Sequence, residues 1–137
     1  MHDNNFIRKL INDLTHQVDW EKITEKNERG LTGNLTSKTY SIFGLRVRMI
    51  IYSAGYTADH WCSAAHIIHC MEGECVIRFK DGRQKAIKTG ASLIVQKNIH
   101  NPHQVESFQN AKLLIIDSDS LQFDDNAFES VQKGKKA

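Results

Sequence analysis

The side chains best suited to metal chemistry are concentrated in one part of the chain. The 137 residues include seven histidines and three cysteines, and five of the histidines and all three cysteines lie between residues 60 and 103. Neutral imidazole and thiolate are the usual protein ligands of zinc, copper and iron. We therefore expect a transition-metal site to be built from this stretch.

Strand alternation separates these residues into two groups. Successive side chains of a strand point to opposite faces, so residues of one parity share a side. If that alternation continues through residues 63–65, then His60, Cys62 and His66 face one interior, and Cys70 lies deeper along it. His69 has the opposite parity, which favours a structural position in a second layer or a subunit contact.

A further histidine can reach the same interior from another strand. His103 follows the chain's only proline, Pro102, and opens a later strand. The predicted metal ligands are therefore His60, Cys62, His66 and His103.

Turn signals and short β-prone runs predict the elements that position these ligands. Glu72-Gly73 and Asp81-Gly82 each separate two such runs, which is typical of hairpins. Leu45, Val47, Met49 and Ile51 alternate with more polar residues and are expected to form the buried face of a strand. Strands are predicted over residues 45–51, 64–71, 74–80, 83–88, 92–96, 103–107 and 112–117. This spacing predicts an all-β sandwich or barrel.

Cys70 and Cys75 flank the Glu72-Gly73 turn symmetrically. We expect them to be cross-strand neighbours on one face. In a reducing compartment they are interpreted as small core residues rather than as a redox couple.

The two ends of the chain differ from this pattern. Apolar residues recur at helical spacing over residues 3–16, which predicts a short amphipathic N-terminal helix. Residues 119–137 are predicted to form a tail. The expected organisation is an arm over residues 1–17, one β-domain over 18–118 and a tail over 119–137, and the length suits a single domain.

Composition excludes several classes of partner. The net charge is +2, but three lysines near the C-terminus contribute to it, and the rest of the chain holds 15 basic and 16 acidic residues. Without a basic face, nucleic acid is not expected as a partner. No apolar run approaches the roughly 18 residues of a membrane span. The polar N-terminus and the odd number of cysteines favour a reducing, cytoplasmic location.

The histidine-rich stretch resembles the two sequence blocks of a small single-domain cupin. The cupin pattern has a glycine, two histidines one residue apart, a glutamate and a hairpin glycine, and later a second glycine and histidine. The matching residues here are Gly55, His60, Cys62, His66 and Gly73 in the first block and Gly90, Pro102 and His103 in the second. Cys62 and His66 stand where the pattern usually has histidine and glutamate.

The segment 58–62, Ala-Asp-His-Trp-Cys, with His66-Ile67 after it, resembles more closely a bacterial cupin subgroup named for an Asp-His-Cys-Trp (DHCW) motif. Residues 46–49, 52–56 and 112–117 fit that subgroup as well, and the resemblance covers roughly residues 18–117. It implies a double-stranded β-helix, or jelly-roll barrel, with a metal in its mouth, and it implies frequent dimers. A homodimer is therefore expected.

Two functional hypotheses follow. In the first, the chain is a metal-dependent enzyme acting on a small molecule inside the barrel. In the second, it is a non-catalytic binding or sensing cupin in which the metal is structural, since four protein ligands close a tetrahedral zinc site to substrate. The expected cofactor is one transition-metal ion, zinc or iron, with copper and nickel as alternatives.

The remaining polar residues leave the choice between enzyme and binder open. Asp59 is the nearest candidate acid or base, but it should face away from His60 and orient a ligand from behind. Cys62 activated by a histidine is an alternative nucleophile. Arg46 and Arg48 either lean into the barrel to hold an anionic substrate or form one polar strand face.

Overall fold

Two antiparallel sheets make up the structure, a computed structural model that describes residues 4–5 and 15–117. Over this part of the chain, a 3-10 turn at Trp20–Lys22 precedes ten strands. The strands are β1 (Lys26–Arg29), β2 (Asn34–Ile42), β3 (Leu45–Tyr52), β4 (Tyr56–Thr57), β5 (His66–Glu72), β6 (Glu74–Phe79), β7 (Gln84–Lys88), β8 (Ser92–Val95), β9 (His103–Ser107) and β10 (Ala111–Asp117). The larger sheet has the order β1-β2-β3-β10-β5-β8, and the smaller has the order β4-β9-β6-β7.

The all-β fold predicted from the sequence is confirmed. The predicted N-terminal helix over residues 3–16 lies almost entirely outside the described residues, and so does the predicted tail over 119–137. In the segment from residue 15 to residue 117, the one helical element is the short 3-10 turn. No helix among the described residues is long and apolar enough to cross a bilayer.

The core lies between the sheets, and in β5 and β10 every second side chain points into it. Along β5, His66, Ile68 and Cys70 are buried and the residues between them are not, so the predicted parity of this strand is confirmed. In β10 the same alternation buries Leu113 and Asp117. A sheet with one face toward a core requires this period-two burial.

The predicted buried face of β3 is wrong. Ile50 and Tyr52 are 2% and 4% exposed, whereas Leu45 and Ile51 are 38% and 45% exposed. The inward residues are therefore the even-numbered ones. The inner side of this strand is apolar only at one end, and at the other end it carries Arg46 and Arg48, whose charges are met by a buried carboxylate, described below.

The predicted hairpin at Glu72-Gly73 is also wrong, because β5 and β6 belong to different sheets. The chain passes from one sheet to the other at Gly73, where φ is +78°. A Cβ here would lie 2.2 Å from the Asn110 carbonyl oxygen, so only glycine fits this crossing. The hairpin at Asp81-Gly82, by contrast, is present and joins β6 to β7.

Cys70 and Cys75 are consequently not cross-strand partners. Cys70 lies opposite Leu113 of β10, and Cys75 lies opposite Ile87 of β7. Both are free thiols with 0% and 1% exposure, so their assignment to the core is confirmed. Burial raises the pKa of both thiols, that of Cys75 to about 12.

Sequence patterns missed β1, β2 and β4. The longest of these, β2, pairs with β3 along its whole length and widens the larger sheet. The outer face of that sheet carries a lateral row of apolar side chains, which runs from Val47 through Ile116 and Ile67 to Ile94. Ile94 is 63% exposed. The homodimer expected from the cupin resemblance stays a prediction.

Candidate metal centre

The polar end of the inner face of the larger sheet brings three strands together. Arg46 of β3 lies opposite Asp117 of β10. On the other side of β10, Ile116 lies opposite Ile67 of β5, so Asp117 and His66 are neighbours at the end of their strands. This row places an arginine, a carboxylate and an imidazole side by side, with the apolar core beneath them.

The smaller sheet supplies two further ligand-type side chains to the same place. His103 is the first residue of β9, and its backbone exchanges two hydrogen bonds with Cys62, of 2.7 and 2.8 Å between nitrogen and oxygen. This isolated β-bridge fixes Cys62 beside His103, although Cys62 belongs to no strand. The sulfur and the imidazole are thus held by backbone geometry before any ion is bound.

Cys62, His66 and His103 form the candidate metal centre. One ligand atom from each lies within 4.8 Å of the others. The Cys62 Sγ is 3.3 Å from His66 Nε2, and the rings of His66 and His103 are nearly perpendicular, with centroids 5.0 Å apart. Both histidines are buried, and Cys62 is half-buried.

The three residues fit a transition-metal ion. Bond lengths of about 2.0–2.3 Å around a tetrahedral zinc place neighbouring sulfur and nitrogen ligands roughly 3.5 Å apart. The 3.3 Å separation of Cys62 Sγ and His66 Nε2 matches this, and the separations within the group are short enough to close around an ion with small side-chain movements. One thiolate and two imidazoles suit zinc, copper, iron or nickel better than magnesium or calcium.

His60 lies outside this group. Its side chain is 74% exposed, and its Nδ1 is 2.7 Å from Asp59 Oδ1. Both residues line the same cavity as the three clustered ligands. The structure thus brings together three of the four residues predicted from the sequence, and the role of His60 as a ligand stays a prediction.

Asp117 is the residue of this site that sequence reasoning missed. It is buried, and it accepts hydrogen bonds from Arg46 Nε at 3.1 Å and from Arg46 Nη2 at 2.5 Å. Arg48 Nη2 donates a longer one, of 3.4 Å. Asp117 Oδ2 is also 3.5 Å from His66 Nδ1. A carboxylate behind a metal-binding histidine fixes the ring's orientation and tautomer and makes it a better ligand.

The electrostatics of the cluster favour the ligand form of the cysteine. The imidazoles of His103 and His66 hold the pKa of the Cys62 thiol down at about 5, against the opposing effect of its burial. A thiolate at neutral pH is the form that binds metal.

Contacts within the cluster also shift the pKa values of His66 and Asp117. Burial lowers the pKa of His66, but hydrogen bonds with Asp117 and Cys62 outweigh this, and the pKa is raised. Burial alone would raise the pKa of Asp117, yet His66, Arg46 and Arg48 hold it well below its ordinary value. Asp117 is therefore a carboxylate throughout the neutral range.

A cavity of about 700 Å³ opens onto the three clustered ligands. Its walls come from both sheets and include Arg48 and Ile50 from β3 and Gln104 and Val105 from β9. Cavities of this size accommodate small molecules. The site therefore combines buried metal-type ligands with space for a ligand of low molecular mass.

Of the other residues considered from the sequence, His69 lies away from the cluster. It is on the opposite face of β5, as its parity predicts, and its Nδ1 is 2.7 Å from Ser92 Oγ. Lys80 Nζ lies 4.5 Å from the centroid of the Trp61 ring, and that ring does not line the cavity. Arg46 and Arg48 do line it, which selects the inward-leaning alternative.

Comparisons with known proteins identify the fold. No protein-family model and no curated protein matches the chain. Solved structures do match. A sugar phosphate isomerase of the cupin superfamily from Silicibacter pomeroyi aligns with a TM-score of 0.62 at 14% identity, over 77% of this chain and 76% of that one. A protein described as a predicted oxalate decarboxylase from Thermotoga maritima aligns with a TM-score of 0.63 at 16% identity, over 75% and 98% of the chains.

A third solved structure, of FeII HppE, aligns with a TM-score of 0.60 at 13% identity and covers 77% of this chain and 60% of that one. At these identities the likeness shows the fold alone. The chain therefore has the cupin fold expected from its sequence, and no comparison tests its resemblance to the DHCW subgroup.

Proposed function

We propose that this chain is a metal-dependent enzyme acting on a small molecule bound in the cavity, with one transition-metal ion held by Cys62, His66 and His103. The observation that carries the proposal is the convergence of three metal-type ligands, among the described residues, beside a cavity of about 700 Å³. Three protein ligands with an open fourth position are typical of catalytic zinc sites, whereas four close the site.

The residues around the ligands have assignable roles. Asp117, anchored by Arg46, lies 3.5 Å from His66 Nδ1 and would orient the ring so that Nε2 faces Cys62 and the shared ion. The bound ion would supply Lewis-acid polarisation of a substrate oxygen, or activation of a water molecule. Buried side chains such as Ile68 and Ile115 line the cavity next to the polar row and give it an apolar wall.

The donor set narrows the identity of the ion. Thiolate is a soft ligand, so zinc and iron are proposed, with copper and nickel as alternatives. A metal cofactor is also supported by the similarity of the fold to that of FeII HppE, a protein described in its iron(II) form. The three proposed ligands themselves follow from contacts within this chain.

The non-catalytic alternative is a binding or sensing protein with a structural metal. It is favoured if the His60 side chain rotates toward the cluster and becomes a fourth ligand, because the coordination shell would then be closed to a substrate. His60 is exposed and lines the cavity, so it is the residue that would do so. The two hypotheses therefore differ in the number of protein ligands.

A second catalytic candidate has one specific observation in its favour. Cys62, His66 and Asp117 form a chain of contacts, 3.3 Å from sulfur to Nε2 and 3.5 Å from Nδ1 to Oδ2. A nucleophile, a base and an orienting carboxylate in this order is the arrangement of thiol-dependent hydrolases. An activity that survives complete metal removal and is lost in Cys62→Ser would establish this candidate instead.

Cobalt(II) titration followed by azide tests the proposed open position. We expect one equivalent of Co²⁺ to produce thiolate-to-metal charge-transfer absorption, which Cys62→Ser removes. Azide should then change the visible d–d spectrum, because it enters the position facing the cavity. The contrary result is a d–d spectrum that azide leaves unchanged in the full-length protein but changes in His60→Ala. It would contradict the enzyme hypothesis and establish a four-ligand structural site.

A further inference from the structure

Two arginines face the cavity from neighbouring inward positions of β3. Arg46 and Arg48 line it together with the metal-type ligands, directly above the apolar residues Ile50 and Tyr52 of the same strand. Arg48 lies opposite Thr39 of β2, whose side chain also lines the cavity. This wall of the cavity is therefore rich in hydrogen-bond donors.

The carboxylates that line the cavity contact groups other than these two arginines. Glu28 pairs with Lys26 at 3.0 Å, and Asp59 contacts His60 at 2.7 Å. Asp117 is the single carboxylate that the described residues place against both Arg46 and Arg48.

Asp117 contacts Arg46 more closely than it contacts Arg48. Arg46 contacts both oxygens of Asp117, whereas Arg48 reaches only Oδ2, at 3.4 Å. Arg48 Nε is buried and has no hydrogen-bond partner among the described residues. A buried donor without a partner is rare in proteins, and it marks Arg48 as incompletely paired.

Arg48 is also close to the candidate metal centre. Its guanidinium and the imidazole of His66 contact the same oxygen of Asp117, at 3.4 and 3.5 Å. Arg48 Nη2 and His66 Nδ1 therefore lie no more than about 7 Å apart.

We propose that Arg48 is the recognition residue of an anion subsite next to the metal centre, and that the molecule bound in the cavity carries a carboxylate or a phosphate group. A guanidinium pairs with either anion through two parallel hydrogen bonds, and Arg48 lines the cavity with 24% of its side chain exposed. This inference rests on the proposed function for the statement that the bound anion belongs to the substrate.

Isothermal titration with inorganic phosphate and with malonate tests the subsite. Both probes are titrated into full-length protein, once with bound zinc and once after chelation. We expect at least one of them to bind in both states, and Arg48→Met to weaken that binding by about 10-fold or more, since a charge-assisted hydrogen bond to a partly buried arginine is lost. The tighter probe identifies the anion as phosphate or carboxylate.

Arg78→Met is the matched control. Arg78 also has a buried Nε and a single carboxylate partner, Glu106 at 3.0 Å, but it lies outside the cavity. Its replacement should leave anion binding unchanged. Arg48→Lys keeps the charge and should retain part of the affinity, so a misfolded Arg48→Met protein would not decide the outcome.

The two proposals fail in different ways. Anion binding that depends on Arg48 in protein unable to bind zinc would support the subsite and contradict the metal centre. Zinc binding without measurable binding of either probe would overturn the subsite and leave the metal centre standing. Equal weakening in the Arg48 and Arg78 variants would also overturn the subsite.

Discussion

His66→Ala is expected to abolish tight metal binding, whereas His69→Ala leaves it unchanged. His66 is buried in the candidate metal centre with its Nε2 3.3 Å from Cys62 Sγ, and His69 faces the other side of the same strand. Loss of one of three ligands should lower affinity by more than the about 10–100-fold that follows removal of an outer hydrogen-bond partner. Competition with a chromogenic chelator measures both affinities.

This pair of variants is matched, because the two histidines lie three residues apart on β5. His66→Ala removes a buried ring, so its fold is checked by far-ultraviolet circular dichroism, and His66→Gln provides a variant of closer volume. An equal loss of affinity at His66 and His69 would contradict the assignment of His66 as a ligand.

Asp117→Asn is expected to weaken metal binding and to destabilise the fold together. The change removes the buried charge that anchors Arg46 and Arg48 and that lies behind His66. Metal affinity should fall by about 10–100-fold. The free energy of unfolding should fall by about 2–3 kcal/mol, less than the about 3–5 kcal/mol typical of a fully buried pair, because Arg46 is half-exposed.

Urea unfolding of metal-free protein and chelator competition separate the two effects. Asp81→Asn is the control: Asp81 also pairs with an arginine, Arg83 at 2.7 Å, but on the exposed Asp81-Gly82 hairpin. Because exposed ion pairs contribute little, Asp81→Asn should leave both the free energy of unfolding and the metal affinity nearly unchanged. An Asp117→Asn protein with unchanged affinity for zinc would show that this carboxylate does not orient His66.

The pH dependence of the Asp117 contribution follows from its lowered pKa. A carboxyl group whose pKa is lower in the folded than in the unfolded protein stabilises the fold above its unfolded pKa of about 4. That stabilisation is lost as the pH falls through the lower, folded value. The stability difference between the protein and Asp117→Asn should therefore grow as the pH falls through the raised pKa of His66, and then shrink below about pH 5.

Strand periodicity predicted the part of the site that lies in regular strands. His66, Ile68 and Cys70 share the inner face of β5 as their parity requires, and His103 begins β9 as expected. The parity argument did not extend to His60, because the chain between β4 and β5 is irregular there and alternation has no meaning outside an extended strand. Cys62 reaches the site through its backbone bridge with His103.

The face of β3 could not be read from hydropathy. Both of its faces carry apolar residues, since Ile50 and Tyr52 point inward and Leu45 and Ile51 point outward. Alternation marks two faces but does not say which is inside when the outer face is also apolar. The inward position of the two arginines is explained by Asp117, which contacts both from β10 and lies far away in the sequence.

Asp117 itself gave no local signal, because a carboxylate at the end of an apolar strand is usually a solvated residue. The sheet order, which places β10 between β3 and β5, turns it into the residue that connects the arginines with His66. Pairings of this kind are non-local, and no pattern within one segment contains them.

Elemental analysis of full-length protein purified without chelators and without a metal-affinity tag tests the central claim most directly. The account predicts close to one equivalent of a single transition metal per chain, or one equivalent after reconstitution, and loss of that metal in Cys62→Ser and in His103→Ala. Less than about a tenth of an equivalent of any transition metal, unchanged by reconstitution, would contradict a metal centre formed by Cys62, His66 and His103.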